Sequence, residues 1–235
     1  MEDLEKRLVH LSFMREGPFP EERKGEVFSI VNDIMTFAIY HYDGTIIHHF
    51  EQLMQDLPNL RDPDLKLEMK HHLFWWVVFC DIQDYHQATI YQSFVEKNWR
   101  RFRYDETLLQ VIFNWNYLHP GIYKVVHVVS ENDVIVYDLV NGDQKSVIVY
   151  NENFQYPEQG DLLIGLLIPF GDGTYSPIFN FLRISESSVL PLTDLIYAHF
   201  KQSSSTSFSH FLRTSFGELL PAIYPFCQFI SDTHL

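Results

Sequence analysis

The feature that most constrains this chain is a change of hydrophobic period at Gly121. Upstream, apolar residues recur every three or four positions, the spacing of one buried helix face. Downstream, IYKVVHVV, VIVYDL and QKSVIVY are short runs rich in β-branched residues with a period near two, the signature of strands. Helices followed by sequential strands segregate to one side of an antiparallel sheet, so the fold class read here is α+β.

The helical part divides at its breakers. In MEDLEKRLVHLSFM, Leu4, Leu8 and Leu11 share a face, and acids occupy the first turn, where the helix dipole favours them. Pro18 and Pro20 interrupt it. Val27, Ile30, Val31, Ile34 and Ala38 form the next stripe, which Asp43-Gly44 is expected to end, with Thr45 capping a new helix through Phe50, Leu53 and Met54. Pro63-Asp64 opens a helix that is apolar on nearly all sides from Leu73 to Cys80, the mark of an element surrounded by others. Two more helices are expected, one through Ile90, Tyr91, Phe94 and Val95, the other around Leu108, Leu109, Ile112 and Phe113. His119-Pro120-Gly121 stops the second.

In the β region, Asn141-Gly142 suits a tight hairpin between the second and third strands, and SEND joins the first two. DLLIGLLIP and TYSPIFNFLRI, separated by Gly171-Asp172-Gly173, complete five sequential antiparallel strands. Strands this short close most economically into a small barrel-like sheet. Pro177 marks an edge or a bulge. Pro191 is read as the start of a helix (LTDLIYAHF). SSSTS at 203–207 then separates it from a last helical region around Phe211, Leu212, Leu219 and Leu220, which Pro221 and Pro225 fragment. The expected organisation is a helical region at 1–120, a β module at 121–185, and C-terminal helices at 186–235 that pack back, all three integrated or separate.

Composition bounds what such a chain does. In 235 residues, 46% are hydrophobic and 16% aromatic, enough for a large core without metal or disulfide support. Seventeen basic residues against 31 acidic ones give a formal charge of −14. Phosphate backbones repel such a surface, so general nucleic-acid binding is disfavoured, and basic proteins are the more natural partners. Cys80 and Cys227 are the only cysteines and fit neither a disulfide framework nor a cysteine-rich zinc site. The acidic, amphipathic start does not read as a signal peptide. The apolar runs LFWWVVFC and LLIGLLIPF fall well short of the ~20 residues of a membrane span. A cytoplasmic location is expected.

The stretch KHHLFWWVVFCDIQDYH raises the question of a metal or catalytic site. On one continuous helix His72 and His86 would lie about 21 Å apart. His71 and His72 diverge by about 100°, unlike a chelating i, i+4 pair. Asp81 and Asp84 would share a face. His41, His48 and His49 could approach from a neighbouring helix, but polar ends on a buried Trp/Phe helix explain the pattern more simply. Cys80 reads as an inert buried thiol. No nucleophile elbow, phosphate-binding loop or dinucleotide fingerprint occurs. No catalytic residue, metal ligand or cofactor is assigned.

One cluster runs against the acidic trend. EKNWRRFRY gathers Lys97, Trp99, Arg100, Arg101 and Arg103 with Phe102 and Tyr104. Arginines among aromatics grip anionic groups and stack on flat rings, so these residues are the candidate anion or partner site. The competing account is a helix C-terminus, where cations complement the dipole and their stems cover apolar surface.

FWWVVFCD, TIYQSFVEKN and LLQVIFNWNYLHPGIYKVVHVV, followed by VIVYDLVNGDQKSVIVY and GDLLIGLLIPFGDGTY, resemble the body of a bacterial protein family common in Firmicutes. Its members often carry a separate SecA-C-terminal-type zinc motif. The resemblance covers roughly residues 73 to 185 and implies a bacterial cytosolic protein, helical first and then β. The zinc motif needs clustered cysteines that this chain lacks, so no metal role follows from it.

The function expected is non-enzymatic: a cytosolic protein-binding or adaptor role with a protein partner, a basic one where charge decides. The first alternative is a metal-assisted hydrolase using His48, His49, His71 or His72 with Asp81. The second is single-stranded nucleic-acid binding through the β module. Against it, residues 120–184 hold only Lys124, Lys145 and Arg183 as basic residues beside eight acids.

Overall fold

Helix α1 (Lys24–Asp56) opens the structure, a computed structural model that describes residues 20–57, 62–83, 87–150, 157–184 and 186–227. The expected helix at residues 4–11 lies outside them. The stripe Val27, Ile30, Val31, Ile34, Ala38 is buried as its spacing requires. The break expected at Asp43-Gly44 is a kink, not an end. Tyr42 leaves helical geometry (φ −135°, ψ 22°), the Asp43 Oδ1 accepts from the Gly44 N–H at 2.8 Å, and the helix then resumes. It resumes because Ile46 and Leu53 still reach the same core. Gly44 is not among the glycines with positive φ.

Helix α2 (Pro63–Phe79) is capped by Asp62, whose Oδ1 accepts from Asp64 N at 2.9 Å and Leu65 N at 3.2 Å, with Pro63 in the first turn. Leu73 through Phe79 are all buried, as all-round apolarity requires. The helix ends there, two residues before Asp81. Asp81 leads instead into a two-strand ribbon, β1 (Ile82–Gln83) and β2 (Ala88–Thr89). Asp84 and His86 lie outside the described residues. Thr89 and Gln92 form a reciprocal capping box for α3 (Ile90–Phe102).

Asp105 caps α4 (Glu106–Asn114), accepting from Leu108 N at 3.0 Å, and also pairs with Arg23 from the approach to α1. The Arg23 guanidinium, ahead of a small opposing effect of burial, holds the Asp105 carboxyl below its ordinary pKa. Asp105→Ala is expected to cost about 1–2 kcal/mol, mostly from the cap. Asp105→Asn keeps the capping oxygen and should recover more than half of that loss, since a half-exposed ion pair contributes at most about 1 kcal/mol. Urea unfolding of both variants checks the ordering.

The sheet corrects the expected five antiparallel strands. Seven strands, β3 (Gly121–Ser130), β4 (Asp133–Asp138), β5 (Asp143–Ile148), β6 (Leu162–Gly165), β7 (Leu167–Pro169), β8 (Thr174–Pro177) and β9 (Leu182–Ile184), pair in the order β7-β8-β5-β4-β3-β6-β9. β5 and β8 run parallel, so the sheet is mixed. The reason lies in Leu162–Phe170, one extended run serving both ends of the sheet. β6 pairs with β3 and β9, while β7, one residue later, pairs with β8. The sheet must therefore curl until both ends meet this run. TYSPIFNFLRI likewise divides, giving β8 and β9 to opposite sides.

Alternation along that run sorts two cores. Leu162, Ile164, Leu166, Ile168 and Phe170 join the helices. Leu163 and Leu167 face inward with Tyr123, Val125, Val134, Val136, Val147, Val149 and Phe181. A strand buried on both faces reads as a continuous apolar run, which is what DLLIGLLIP is.

The C-terminal helices α5 (Glu186–Gln202) and α6 (Phe208–Ile223) pack back as expected. Pro191 lies inside α5, which starts five residues before it, and Pro221 lies inside α6 without ending it. Trp76 Nε1 donates to the Arg213 carbonyl at 2.8 Å, tying α2 to α6. Among the described residues no helix is long and apolar enough to cross a membrane.

Candidate interaction surface

Strand β3 outruns its neighbour. It pairs with β6 over residues 121–124, and the last contacts on that side are Val125 N to Asp161 O at 2.9 Å and Gly160 N to Val125 O at 3.0 Å. From Val126 to Ser130 it keeps β4 on one side. On the other it has no main-chain partner among the described residues. Val126, Val128 and Val129 are 37%, 39% and 53% exposed. The register with β4 shifts between Val125 and His127 and again between Val128 and Ser130, making Val126 and Val129 the extra residues of two bulges. Bulges often blunt an edge against pairing, usually together with lysine or proline. Here the edge carries valines instead.

At the root of this edge lies an open groove of about 440 Å³ lined by Lys124, Val125, Val126, Gln159, Gly160 and Glu186. Gly160 turns the chain at φ 97°, against the Glu186 carboxylate. Of the three cations in the β region, two are committed. Arg183 pairs with Asp161 at 2.5 Å and Glu158 at 3.2 Å. Lys145 lies 2.8 Å from Asp143 and 3.4 Å from Asp138, over the Tyr175 ring. Burial works to lower the Lys145 pKa, but Asp143, Tyr175 and Asp138 outweigh it and raise it. Lys124 is exposed and carries no ion pair among the described residues.

The cluster at 97–103 sits on the last turns of α3 and divides among separate neighbours. Lys97 lies over the Phe37 ring at 5.1 Å, and Arg101 reaches Asp33 on α1 at 2.6 Å. Trp99 is half-buried against the helical core. Arg100 is exposed, and Arg103 stacks at 4.4 Å on Tyr104, itself 80% exposed. Cations at a helix C-terminus with stems on aromatic rings follow from the dipole and from apolar cover.

The histidines separate. His49 Nε2 lies 3.1 Å from Asp81 Oδ2, which also accepts from Gln83 Nε2 at 3.0 Å, and the His49 ring stands edge-on to Trp76. Of the residues named for a hydrolase, His49 alone reaches Asp81, with the His48 ring beside it, while His71 and His72 lie against Phe179. Among the described residues no three His, Cys, Asp or Glu side chains gather where a metal ion could be held. Burial pushes the Cys80 thiol up to about 12, and its Sγ faces the Leu118 carbonyl at 3.5 Å. Cys227 is raised to about 12 by the same cause, so both are protonated thiols at neutral pH.

The free edge is a feature that the sequence reading passed over. Its signal was present: VVHVV places apolar residues on consecutive positions, which a strand buried on one face does not need. No family model, curated protein or solved structure matches the chain.

Proposed function

We propose that the chain is a protein-binding module that takes up an extended segment along the free edge of β3. The observation that carries this reading is the run Val126–Ser130, whose main chain has no partner on one side among the described residues and which exposes three valines. Strand addition of this kind draws affinity from main-chain hydrogen bonds and specificity from alternate side chains. Each bond contributes about 0.5–1.5 kcal/mol, and each valine up to about 1.5 kcal/mol if fully covered.

The alternatives have less to stand on. Single-stranded nucleic acid wants a basic groove with stacking aromatics. The inner face of the sheet is filled by its own apolar side chains, and Lys145 and Arg183 are already paired with acids. The hydrolase reading retains one contact, His49 with Asp81. The acidic surface, with Glu131, Glu158 and Glu186 near the edge, favours segments that carry some positive charge.

Selection of random displayed peptides against the wild type, counter-screened with Val126→Lys/Val129→Lys, tests this. Both positions are exposed, so the variant should fold normally. The expected result is extended peptides whose affinity falls at least about tenfold against the variant, the loss of one to two valine contacts. Peptides that bind both proteins equally would place the binding surface elsewhere.

A further inference from the structure

We infer that the cavity between α2, the break from β6 to β7 and the connection from β8 to β9 is a binding site for one water molecule, which donates a hydrogen bond to His72 Nε2.

The cavity lies where three parts of the fold meet. His72 and Trp75 reach it from α2, Leu166 from the sheet, Ile178 and Phe179 from the β8–β9 connection, and Phe216 from α6. Its volume is about 10 Å³. That is close to the least that accommodates a single water. Apart from His72, the side chains that line it are apolar, and one polar atom stands out among them. His72 is buried, and its Nε2 has no hydrogen-bond partner among the described residues. Buried polar atoms are seldom left so, because the bond lost to solvent is then not replaced.

The hydrogen bonding of the ring fixes what Nε2 offers. The Asn180 main chain bonds the imidazole and favours its protonated form, as a carbonyl acceptor does. Since Nε2 is the nitrogen without a partner, the bonded nitrogen is Nδ1, which carries the hydrogen. Burial keeps the ring neutral by pushing its pKa down to about 3, so Nε2 presents a lone pair. Cε1, bonded to Nε2, lies 3.3 Å from where a Cβ on Gly165 would stand, and Gly165 also lines the cavity.

A lone pair in an apolar wall selects its occupant. An anion is repelled by it. A metal ion would find one imidazole and no carboxylate, too few ligands to hold it. An apolar molecule leaves Nε2 unpaired, and an organic donor larger than water exceeds the space. Water fits, provided that it finds a second polar partner. Leu166 stands between β6 and β7, in register with no neighbouring strand, so its peptide group is placed to bond the same molecule. The water then ties α2 to the point where the run Leu162–Phe170 passes from one end of the sheet to the other.

NMR of the full chain at neutral pH tests this, with His72→Phe as the variant. In the wild type the imidazole nitrogen shifts should place the hydrogen on Nδ1 and show Nε2 accepting a bond. Cross-relaxation with a long-lived water should appear at His72 Hε1 and at the ring protons of Phe216, which is buried. In a crystal of the wild type one ordered water should lie about 2.7–3.2 Å from Nε2. His72→Phe removes the acceptor and fills the space, so the water signal at Phe216 should vanish. A hydrogen on Nε2, or a wild-type cavity that is dry by both methods, overturns the inference. So does a water signal at Phe216 that survives in the variant, since the imidazole would then not be what holds it. Should the variant fail to fold, the tautomer and the water contacts of the wild type decide alone.

Discussion

Gly217→Val is expected to destabilise the protein by about 3 kcal/mol, the upper part of the range for overpacking a close helix contact. A Cβ at 217 would lie 2.7 Å from Cζ3 and 3.0 Å from Cε3 of Trp76, closer than such atoms approach. The obstacle is a ring and not the loose end of a flexible chain. Trp76 is buried, its Nε1 is tied to the Arg213 carbonyl one turn earlier on the same helix as Gly217, and His49 stands edge-on against it. Valine adds two methyl groups beyond that Cβ, so α2 and α6 must separate or the ring must leave its hydrogen bond. At about 2–4 °C per kcal/mol for a chain of this size, the melting temperature should fall by roughly 6–12 °C. The cause is separable from helix propensity by a second site. In a Trp76→Leu background the space is open and the cost of Gly217→Val should shrink by at least about 1 kcal/mol, the coupling expected of touching residues. Equal costs in both backgrounds, measured by urea unfolding, would show that the α2–α6 contact is not what glycine serves.

The legibility of this fold in its sequence follows the range of the interaction that decides each element. Local rules suffice for the caps at Asp62 and Asp105 and for the Thr89/Gln92 box, where donor and acceptor lie within three residues. Asn141-Gly142 is equally local, and Gly142 takes the positive φ of 75° that such a turn requires. The all-round apolarity of Leu73–Phe79 identifies a central helix because nothing polar there needs water. Asp43-Gly44 marks a real discontinuity, yet whether a helix stops or resumes after it depends on Ile46 and Leu53 finding the same core. The strands mislead for the same reason. LLIGLLIP is continuous in sequence, but its two halves serve different sheet neighbours, and only the curl of the whole sheet divides them at Leu166.

The interaction surface was less legible than the fold. An edge is defined by the partner it lacks, and β6 stops short of Val126 because the chain turns at Gly160. The cluster at 97–103 was visible because like charges stand out in an acidic chain. Its dispersal among Phe37, Asp33 and Tyr104 is a property of helix phase and of α1 beside it. The His49–Asp81 contact joins residues 32 positions apart, and α2 had to end at Phe79 for Asp81 to turn toward it.

His72 should make the protein lose stability in mild acid, and removing that imidazole should remove much of the loss. The side chain is buried between Phe179 and Gly165 beside a small cavity of about 10 Å³, and burial pushes its pKa down to about 3. The Asn180 backbone, which favours protonation, and His71, which opposes it, act more weakly. Its Nε2 has no partner among the described residues, and the cavity is lined by Trp75, Pro120, Leu166, Ile178 and Phe216 without a carboxylate. Above about pH 6.5 the ring is neutral folded or unfolded and pH has no leverage through it. Below that, the unfolded chain binds a proton that the folded chain refuses, so stability falls by about 1.4 kcal/mol per pH unit. The loss approaches about 5 kcal/mol near pH 3, the full difference between the two pKa values. His71, lowered by burial as well, acts in the same direction. Asp105 and Asp172 have carboxyl pKa values held below the ordinary 3.8, so their contribution is kept down to about pH 4 and is lost only below it. The window from pH 6.5 to 4.5 therefore carries the histidines, opposed in part by Glu68, whose carboxyl is raised first by burial and then by Asp64 and Asp62, so the comparison of wild type with a His72 variant isolates the imidazole. His72→Leu keeps an apolar side chain of similar reach and gives up one backbone hydrogen bond, a cost of about 1 kcal/mol at pH 7.5. By pH 4.5 the wild type should have lost about 3 kcal/mol through His72 alone, so the variant becomes the more stable protein and the two curves cross. Curves of urea midpoint against pH that run parallel through this window would mean that the imidazole is protonated in the folded state, and that its surroundings open to water more readily than their packing indicates.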